Sequence, residues 1–433
     1  MSPSAVTGLV GIGILLVLLF SRIHIGIGMG LVGFVGFAYL KGLSSGLGLL
    51  KTVPYSTFSQ YSLSVIPLFM LMGAFTFAAG LSEDLYETAH KWLGQLRAGL
   101  AMATVGACAC FAAISGSSLA TAATLGTVTL PEMKRYKYDP ALAAGSVAAG
   151  GSIGILIPPS VILILYGIIT EQSIGKLFLA GFTPGVLEAV FYMITIVILA
   201  NLNPSIGPPG PKTTFRDKMF SLAKTWESIV LFVLVIGGIY LGVFTPTEAA
   251  GFGALVAFFF AVFKKRLNWL NFRECLVSTA KNAGMLFVII MGAMLLGYFL
   301  SVSRIPFELA SFVTGIEVNR YVILIFILLL FLLLGCVMDT MAIVLLTVPI
   351  FYPVIVELGF HPIWFGILVV RTAEMGLITP PVGLNVFIIR GISNIPMEII
   401  FRGILPFLMA DVCHVALLIA LPQISLFLPS MMS

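Results

Sequence analysis

The chain has 433 residues, of which 59% are hydrophobic and only 9% charged, with a formal net charge of +5. A soluble domain carries nearer a quarter of its residues as charges, so a water-soluble globular enzyme is excluded. The basic residues sort by loop instead of gathering into a patch, which argues against a nucleic-acid partner.

Apolar runs of about 18 residues or more recur from end to end, and such runs read as membrane spans in contact with lipid. In chain order they predict about ten transmembrane helices, near residues 5–20, 23–40, 63–81, 140–169, 177–200, 227–243, 249–264, 282–301, 362–390 and 404–429. The first run lacks a basic leader and a small-residue cleavage site, so it is expected to be a retained helix. Two further segments, 99–131 and 322–353, are long enough to enter and leave the membrane on the same side. They are expected to be re-entrant helical hairpins.

With both termini outside, 17 of the 23 Lys and Arg fall on the cytoplasmic side and five outside (Lys41, Lys51, Lys176, Arg304 and Arg320). Arg371 is left at membrane depth. This orientation obeys the positive-inside rule, and fully crossing hairpins would scramble the bias. The five cysteines (Cys108, Cys110, Cys275, Cys336 and Cys413) show neither metal-ligand nor disulfide-framework spacing.

The chain also repeats itself. "GILIPPS" (154–160) and "GLITPPVGLN" (376–385) both read Gly-x-x-x-Pro-Pro, and Gly154 and Gly376 stand 222 residues apart. Upstream, "TLP" (129–131) and "TVP" (347–349) close the two hairpin segments at a spacing of 218. Each hairpin is preceded by an amphipathic stretch. The first, "EDLYETAHKWLGQLRA", sets Leu85, Ala89, Trp92, Leu93 and Leu96 on one helical face; "IPFELASFVTGIEVN" is its weaker partner. The topology puts the first stretch on the cytoplasmic surface and the second on the outer one. The two halves are therefore expected to be inverted repeats.

The expected organisation is N-terminal scaffold helices in 1–62 and a first repeat in 63–200. The latter holds an arm helix, hairpin 99–131 and broken helix 140–169. Scaffold helices and cytoplasmic linkers follow in 201–281. A second repeat in 282–429 holds an arm helix, hairpin 322–353 and broken helix 362–390.

Paired prolines at membrane depth free backbone groups, each costly in hydrocarbon, so they persist only where protein or a polar cavity surrounds them. Matched breaks in two inverted halves point to a transporter binding site near the midplane. Freed carbonyls there can ligate Na⁺, and half-helix N-termini can face an anion. The bland alternative is that each Pro-Pro pair only kinks a helix for packing.

Together, "GGSIGILIPPS", "EMGLITPPVGLNVF", "SGSSLATAATLG" and "MDTMA" with "TVPIFYP" resemble the large membrane subunit of tripartite ATP-independent periplasmic (TRAP) transporters. The resemblance covers nearly the whole chain. It implies an all-α, inverted-repeat elevator fold in the bacterial inner membrane. It implies import of an organic anion driven by two or more Na⁺ ions. It also implies two partners: a periplasmic solute-binding protein and a small four-helix membrane subunit, the latter expected as a separate polypeptide.

Within that frame, Ser115, Gly116, Ser117 and Ser118 fall at the tip of the first hairpin, where hydroxyls supply oxygen ligands. Helix packing by small residues is the alternative. Ser117 and Ser118 with Gly154, Ile157 and Pro158 are the expected first Na⁺ site. By the repeat offset Asp339 corresponds to Ser117, and an Asp in an apolar hairpin is a functional hypothesis by default. Asp339 and Thr340, facing Gly376, Thr379 and Pro380, are the expected second site. The Asp339 carboxylate can equally bind substrate or cap a half-helix.

Ser115, Ser160, Asp339, Arg371 and Asn385 are the candidate substrate contacts. Ser160 and Asn385 face the cavity or tie helices together. Arg371 receives a substrate carboxylate or is neutralised by Glu374 on the same helical face. Glu188 and Glu248 are assigned structural roles.

Two other function classes fit less well. An intramembrane enzyme finds no support, since "SGSS" is not a rhomboid-like motif and no histidine is spaced to serve it. A related elevator carrier working without a binding protein would share the hairpins and breaks, so only the motif set separates it.

Overall fold

A chain with so few polar side chains must satisfy its backbone internally, and in a membrane that leaves helices or closed barrels. The computed structural model describes residues 2–21, 23–315 and 318–432, without the side chains of Phe20, Ala113, Ile114, Ser115, Val313 and Thr314. Among the described residues it is helical, with no strand.

The first part runs α1 (Pro3–Phe20), α2 (Ile25–Lys41), α3 (Leu43–Ser59), α4 (Val65–Ala78) and the amphipathic α5 (Leu81–Leu93). A hairpin follows, α6 (Gly99–Ser115) and α7 (Ser118–Arg135). Then come α8 (Pro140–Ser152), a break, α9 (Val161–Thr170) and the long α10 (Ile174–Leu202). The middle holds α11 (Phe215–Lys224), α12 (Trp226–Phe232), α13 (Gly238–Tyr240), α14 (Pro246–Phe263) and α15 (Trp269–Ser303). The second half repeats the plan: short α16 (Ile305–Thr314), hairpin α17 (Arg320–Gly335) and α18 (Thr340–Glu357), α19 (Pro362–Leu377), a break and α20 (Leu384–Ser393). It closes with α21 (Met397–Ala420) and α22 (Gln423–Ser430).

Among the described residues, six helices are long and apolar enough to cross a membrane singly, or seven if the bent α11–α13 segment counts as one. Several other apolar helices are shorter, including α6, α8, α9, α17 and α20. The run-based estimate of about ten is larger because it also counts α1 and α2, which are shorter, the bent α11–α13 segment and the two broken helices, whose halves are each too short alone.

Three boundaries differ from expectation. Helices α3 and α11 were not anticipated, because polar residues interrupt their apolar pattern. At about 1.5 Å per residue, the 35 residues of α15 extend roughly 50 Å, well past a hydrocarbon core of about 30 Å. Its polar first turns, starting at Trp269, therefore project beyond the predicted 282–301 span. The predicted 404–429 span is two helices, parted at Leu421 because Pro422 cannot continue the preceding helix.

Helices α2 and α15 pack closely, as do α4 and α14. The elements around the breaks form a second packed body, in which α8 touches α6, α7 and α21, α19 touches α17, and α18 touches α9.

Between the two bodies lies α5. Its buried face is Leu81, Ser82, Leu85 and Tyr86, whereas Trp92 and Leu96 are exposed. Leu85, Ala89 and Leu93 of the expected face do pack against the core, and only Trp92 and Leu96 depart from it. The helix ends at Leu93, and Trp92 turns outward to donate its Nε1–H to the Lys218 carbonyl of α11 at 3.2 Å. The acidic side of α5 meets bases from the cationic loops. Arg266 lies 2.8 Å from Glu83, Lys264 2.6 Å from Asp84, Lys224 3.1 Å and Lys91 2.8 Å from Glu87.

These pairs are partly solvated, so each contributes at most about 1 kcal/mol. The Lys91 ammonium, with Lys224 behind it, holds the Glu87 carboxyl below the usual glutamate value. A depressed carboxylate gives stability that is present above its unfolded value of about 4.3 and lost as pH falls through the folded one. Amide hydrogen exchange along α5 should therefore be unaffected at neutral pH and should quicken below about pH 4. Quickening on the alkaline side instead would contradict the assignment.

Candidate functional site

The first hairpin turns at Gly116, whose φ of +62° is left-handed and favours glycine. A Cβ there would also sit 3.0 Å from the Pro159 carbonyl oxygen, so the tip is seated on the break between α8 and α9. Ser117 caps α7, its Oγ accepting from the Ala120 N–H at 3.4 Å. Beyond Ser152 the chain tightens into a 3-10 turn, Ile153–Ile155, and passes through Ile157, Pro158 and Pro159 to Ser160. The Ser160 Oγ caps α9 by accepting from the Leu163 N–H at 3.3 Å. Gly154 lies against Ala112 of α6 and the Thr121 hydroxyl of α7. The structure thus brings Ser117, Gly154, Ile157 and Pro158 into one neighbourhood. The Ser115 side chain lies outside the described residues.

The second half is built the same way. Asp339 caps α18, accepting from the Met341 N–H at 3.2 Å, just as Ser117 caps α7. Gly335, closing α17, abuts Gly376 near the end of α19; a Cβ on Gly376 would fall 2.4 Å from the Gly335 Cα. The Thr379 hydroxyl donates to the Met375 carbonyl at 2.6 Å. Pro380 is exposed, and Gly383, again left-handed, starts α20 with its N–H 3.4 Å from the Cys336 carbonyl.

The two halves meet at Glu374. The Thr340 hydroxyl donates to its Oε1 at 2.6 Å, and Ser118 of the first hairpin faces the same carboxylate. Glu374 is fully buried, and its Oε2 has no hydrogen-bond partner among the described residues.

Arg371 does not pair with Glu374, contrary to the local alternative raised from the sequence. Its guanidinium is fully enclosed between Glu188 of α10, 3.0 Å away, and Asp411 of α21, in closer contact still. Asn385 is also fully buried and donates to the Ala148 carbonyl of α8 at 3.3 Å, tying the second break to the first repeat. In this conformation both residues face protein.

An open cavity of about 650 Å³ reaches Ser117. It lies between α4 and α15 on one side and the first hairpin on the other. Arg266, Glu274, Ser278, Asn282 and Thr124 are among the residues that line it. That volume lies in the range of small-molecule sites.

The tripartite ATP-independent periplasmic transporter family, DctM component, matches residues 12–424. The chain belongs to this family. It is 40% identical over 379 residues to the C4-dicarboxylate TRAP transporter large permease protein DctM of Pseudomonas aeruginosa, covering 87% of this chain and 88% of that one. The sialic acid large permease SiaM of Vibrio cholerae is 32% identical, covering 92% and 93%. The isethionate permease DctMQ of Oleidesulfovibrio alaskensis is 32% identical over 94% of this chain but only 63% of its own length.

Among solved structures, the YdaH transporter of Alcanivorax borkumensis superposes with a TM-score of 0.68, covering 88% of this chain and 90% of that one at 14% identity. MtrF of Neisseria gonorrhoeae gives 0.59, covering 88% and 84%, also at 14%. These two share the fold. The chain is therefore a TRAP large permease, a multi-pass membrane transporter and not an enzyme.

Sequence reasoning missed three carboxylates of this DctM-family permease as a group. Glu374 was treated only as a neighbour of Arg371, although an ionisable residue one turn before a broken helix is itself a site signal. Glu188 was set aside as structural, and Asp411, inside an apolar run, was not singled out. A count of acids at membrane depth would have found all three.

Proposed function

We propose that this chain imports an organic anion into the cytoplasm, coupled to two or more Na⁺ ions, by elevator-type alternating access. The observation that carries the reading is the pair of matched hairpin tips, each ending in an oxygen-bearing cap (Ser117 or Asp339) and each seated on a broken helix. Na⁺ is a hard cation that takes oxygen ligands. Ser117, Ser118, Gly154, Ile157 and Pro158 supply hydroxyl and carbonyl oxygens for one ion. Asp339, Thr340, Gly376, Thr379 and Pro380 supply them for the second. The buried Glu374 carboxylate beside Thr340 and Ser118 adds oxygen to that set.

The substrate enters by the cavity that Ser117 lines and passes on to Ser160 and Asp339, which do not line it in this conformation. With the basic loops cytoplasmic, that cavity opens inward in this reading. The body carrying both breaks slides against the one built on α2, α4, α14 and α15. A C4-dicarboxylate, a sialic acid or another sugar or keto acid suits the site, since the matched relatives are named for anions of this kind.

The partners in this reading are a periplasmic binding protein that delivers the substrate and a small four-helix membrane subunit. The relative named DctMQ has room beyond the matched region for such a subunit. Vesicles holding this chain and the small subunit should accumulate substrate only when the binding protein is added. Full uptake by this chain alone would overturn the tripartite reading in favour of a carrier without a binding protein.

A further inference from the structure

Arg371, Glu188 and Asp411 have zero solvent exposure, and two carboxylates share one guanidinium. Fully ionised, the group would bury a net negative charge, which is costly without a further cation. The cluster is also central to the fold. Tyr192 accepts from Arg371 Nη2 at 3.3 Å and lies 3.3 Å from the Ser152 hydroxyl, at the last residue before the first break. Arg371 itself stands on α19, just ahead of the second break. One polar chain, Ser152, Tyr192, Arg371, thus links both broken helices, with Glu188 and Asp411 fixing it to α10 and α21.

We propose that Glu188, Arg371 and Asp411 form a proton site: one proton resides on the carboxylate pair and makes this brace neutral. Asp411 makes the closer contact with Arg371 and keeps its charge. Glu188 is then the carboxylate left to carry the proton; the oxygens of both acids have no hydrogen-bond partner among the described residues, so it is the buried charge, and not one free oxygen, that calls for it. Tyr192 faces both carboxylates, and since the Ser152 hydroxyl donates to the Ala149 carbonyl at 2.7 Å, it is the tyrosine hydrogen that is shared between Ser152 and the acids.

The titratable and charged groups facing the cluster are Glu188 and Tyr192 from α10, Arg371 and, one turn on, Glu374 from α19, and Asp411 and His414 from α21. The neighbouring α8 offers Ser152. Tyr166 of α9 is engaged elsewhere, donating to the Pro362 carbonyl. Since every member is sealed from solvent, the proton is a resident of the fold and not a cargo.

Infrared difference spectroscopy of the full chain in membranes, with its small subunit, tests this without any substrate. Wild type at neutral pH should show, beyond any band removed by Glu374→Gln, a protonated-carboxyl C=O band that is missing from both Glu188→Gln and Asp411→Asn. In the second variant Glu188 ionises to balance Arg371. A band absent from wild type, or retained in both variants, would overturn the proposal.

Charge counting gives a second arm. Arg371→Met should lower the inserted yield at least tenfold, and Arg371→Met combined with Asp411→Asn should recover most of it, because Glu188 is then neutral and no charge is left unpaired. Equal losses in the single and double variants would contradict the charge balance.

Discussion

Replacing Asp339 with Asn is expected to lower transport at least tenfold, a loss of roughly 1.4 kcal/mol or more of stabilisation. The substitution separates two roles. As a helix cap Asn serves about as well as Asp, because its side-chain oxygen can still accept from the Met341 N–H. The fold of α18 should therefore persist, and an amide is cheaper to keep in a membrane than an unpaired carboxylate. What disappears is the charge at the tip of the second hairpin. Ser117→Ala, at the repeat-related cap, should weaken apparent Na⁺ affinity by a smaller factor, since one neutral ligand is lost from several. Uptake against Na⁺ concentration, normalised to inserted protein, reads both. An Asp339→Asn variant with wild-type Na⁺ dependence would remove Asp339 from the site.

Gly376→Ala should be comparably severe for a different reason. The new Cβ would lie 2.4 Å from the Gly335 Cα and 2.9 Å from the Leu332 carbonyl oxygen, both backbone atoms that cannot swing aside. Either α17 or the end of α19 must move, an overpacking cost of about 1–3 kcal/mol. The displacement would act on the element that holds Glu374 2.6 Å from Thr340. Transport should fall at least tenfold, and the melting temperature should drop by several degrees. Gly284→Ala is the control, because a Cβ there meets nothing within 4 Å. If the two variants behave alike, close approach at Gly376 is not what the site requires.

The features legible in the sequence were those written in local chemistry. The Pro-Pro pairs, the hairpin tips and the 222-residue offset are visible because breaks in apolar helices need special residues at fixed places. Ser117 and Asp339, paired only by that offset, do occupy equivalent caps. Long-range pairings were not legible. Glu188 and Asp411 sit in helices whose apolar pattern gives no sign that they converge on Arg371, so the nearest acid in sequence, Glu374, looked like its partner. That acid instead turns to Thr340 and Ser118. On α5 the inward Leu85, Ala89 and Leu93 were legible, but the outward turn of Trp92 was not, because its partner Lys218 and the bases Lys224, Lys264 and Arg266 arrive from distant segments.

The central claim is that sodium drives the organic anion inward through two matched sites. The most direct measurement is uptake into vesicles containing both membrane subunits, supplied with the binding protein and its bound acid, as external Na⁺ is varied at fixed membrane potential. The account predicts a sigmoidal rise with Na⁺, steeper accumulation when the interior is negative, and no accumulation when choline replaces Na⁺. Uptake unchanged by that replacement would contradict it.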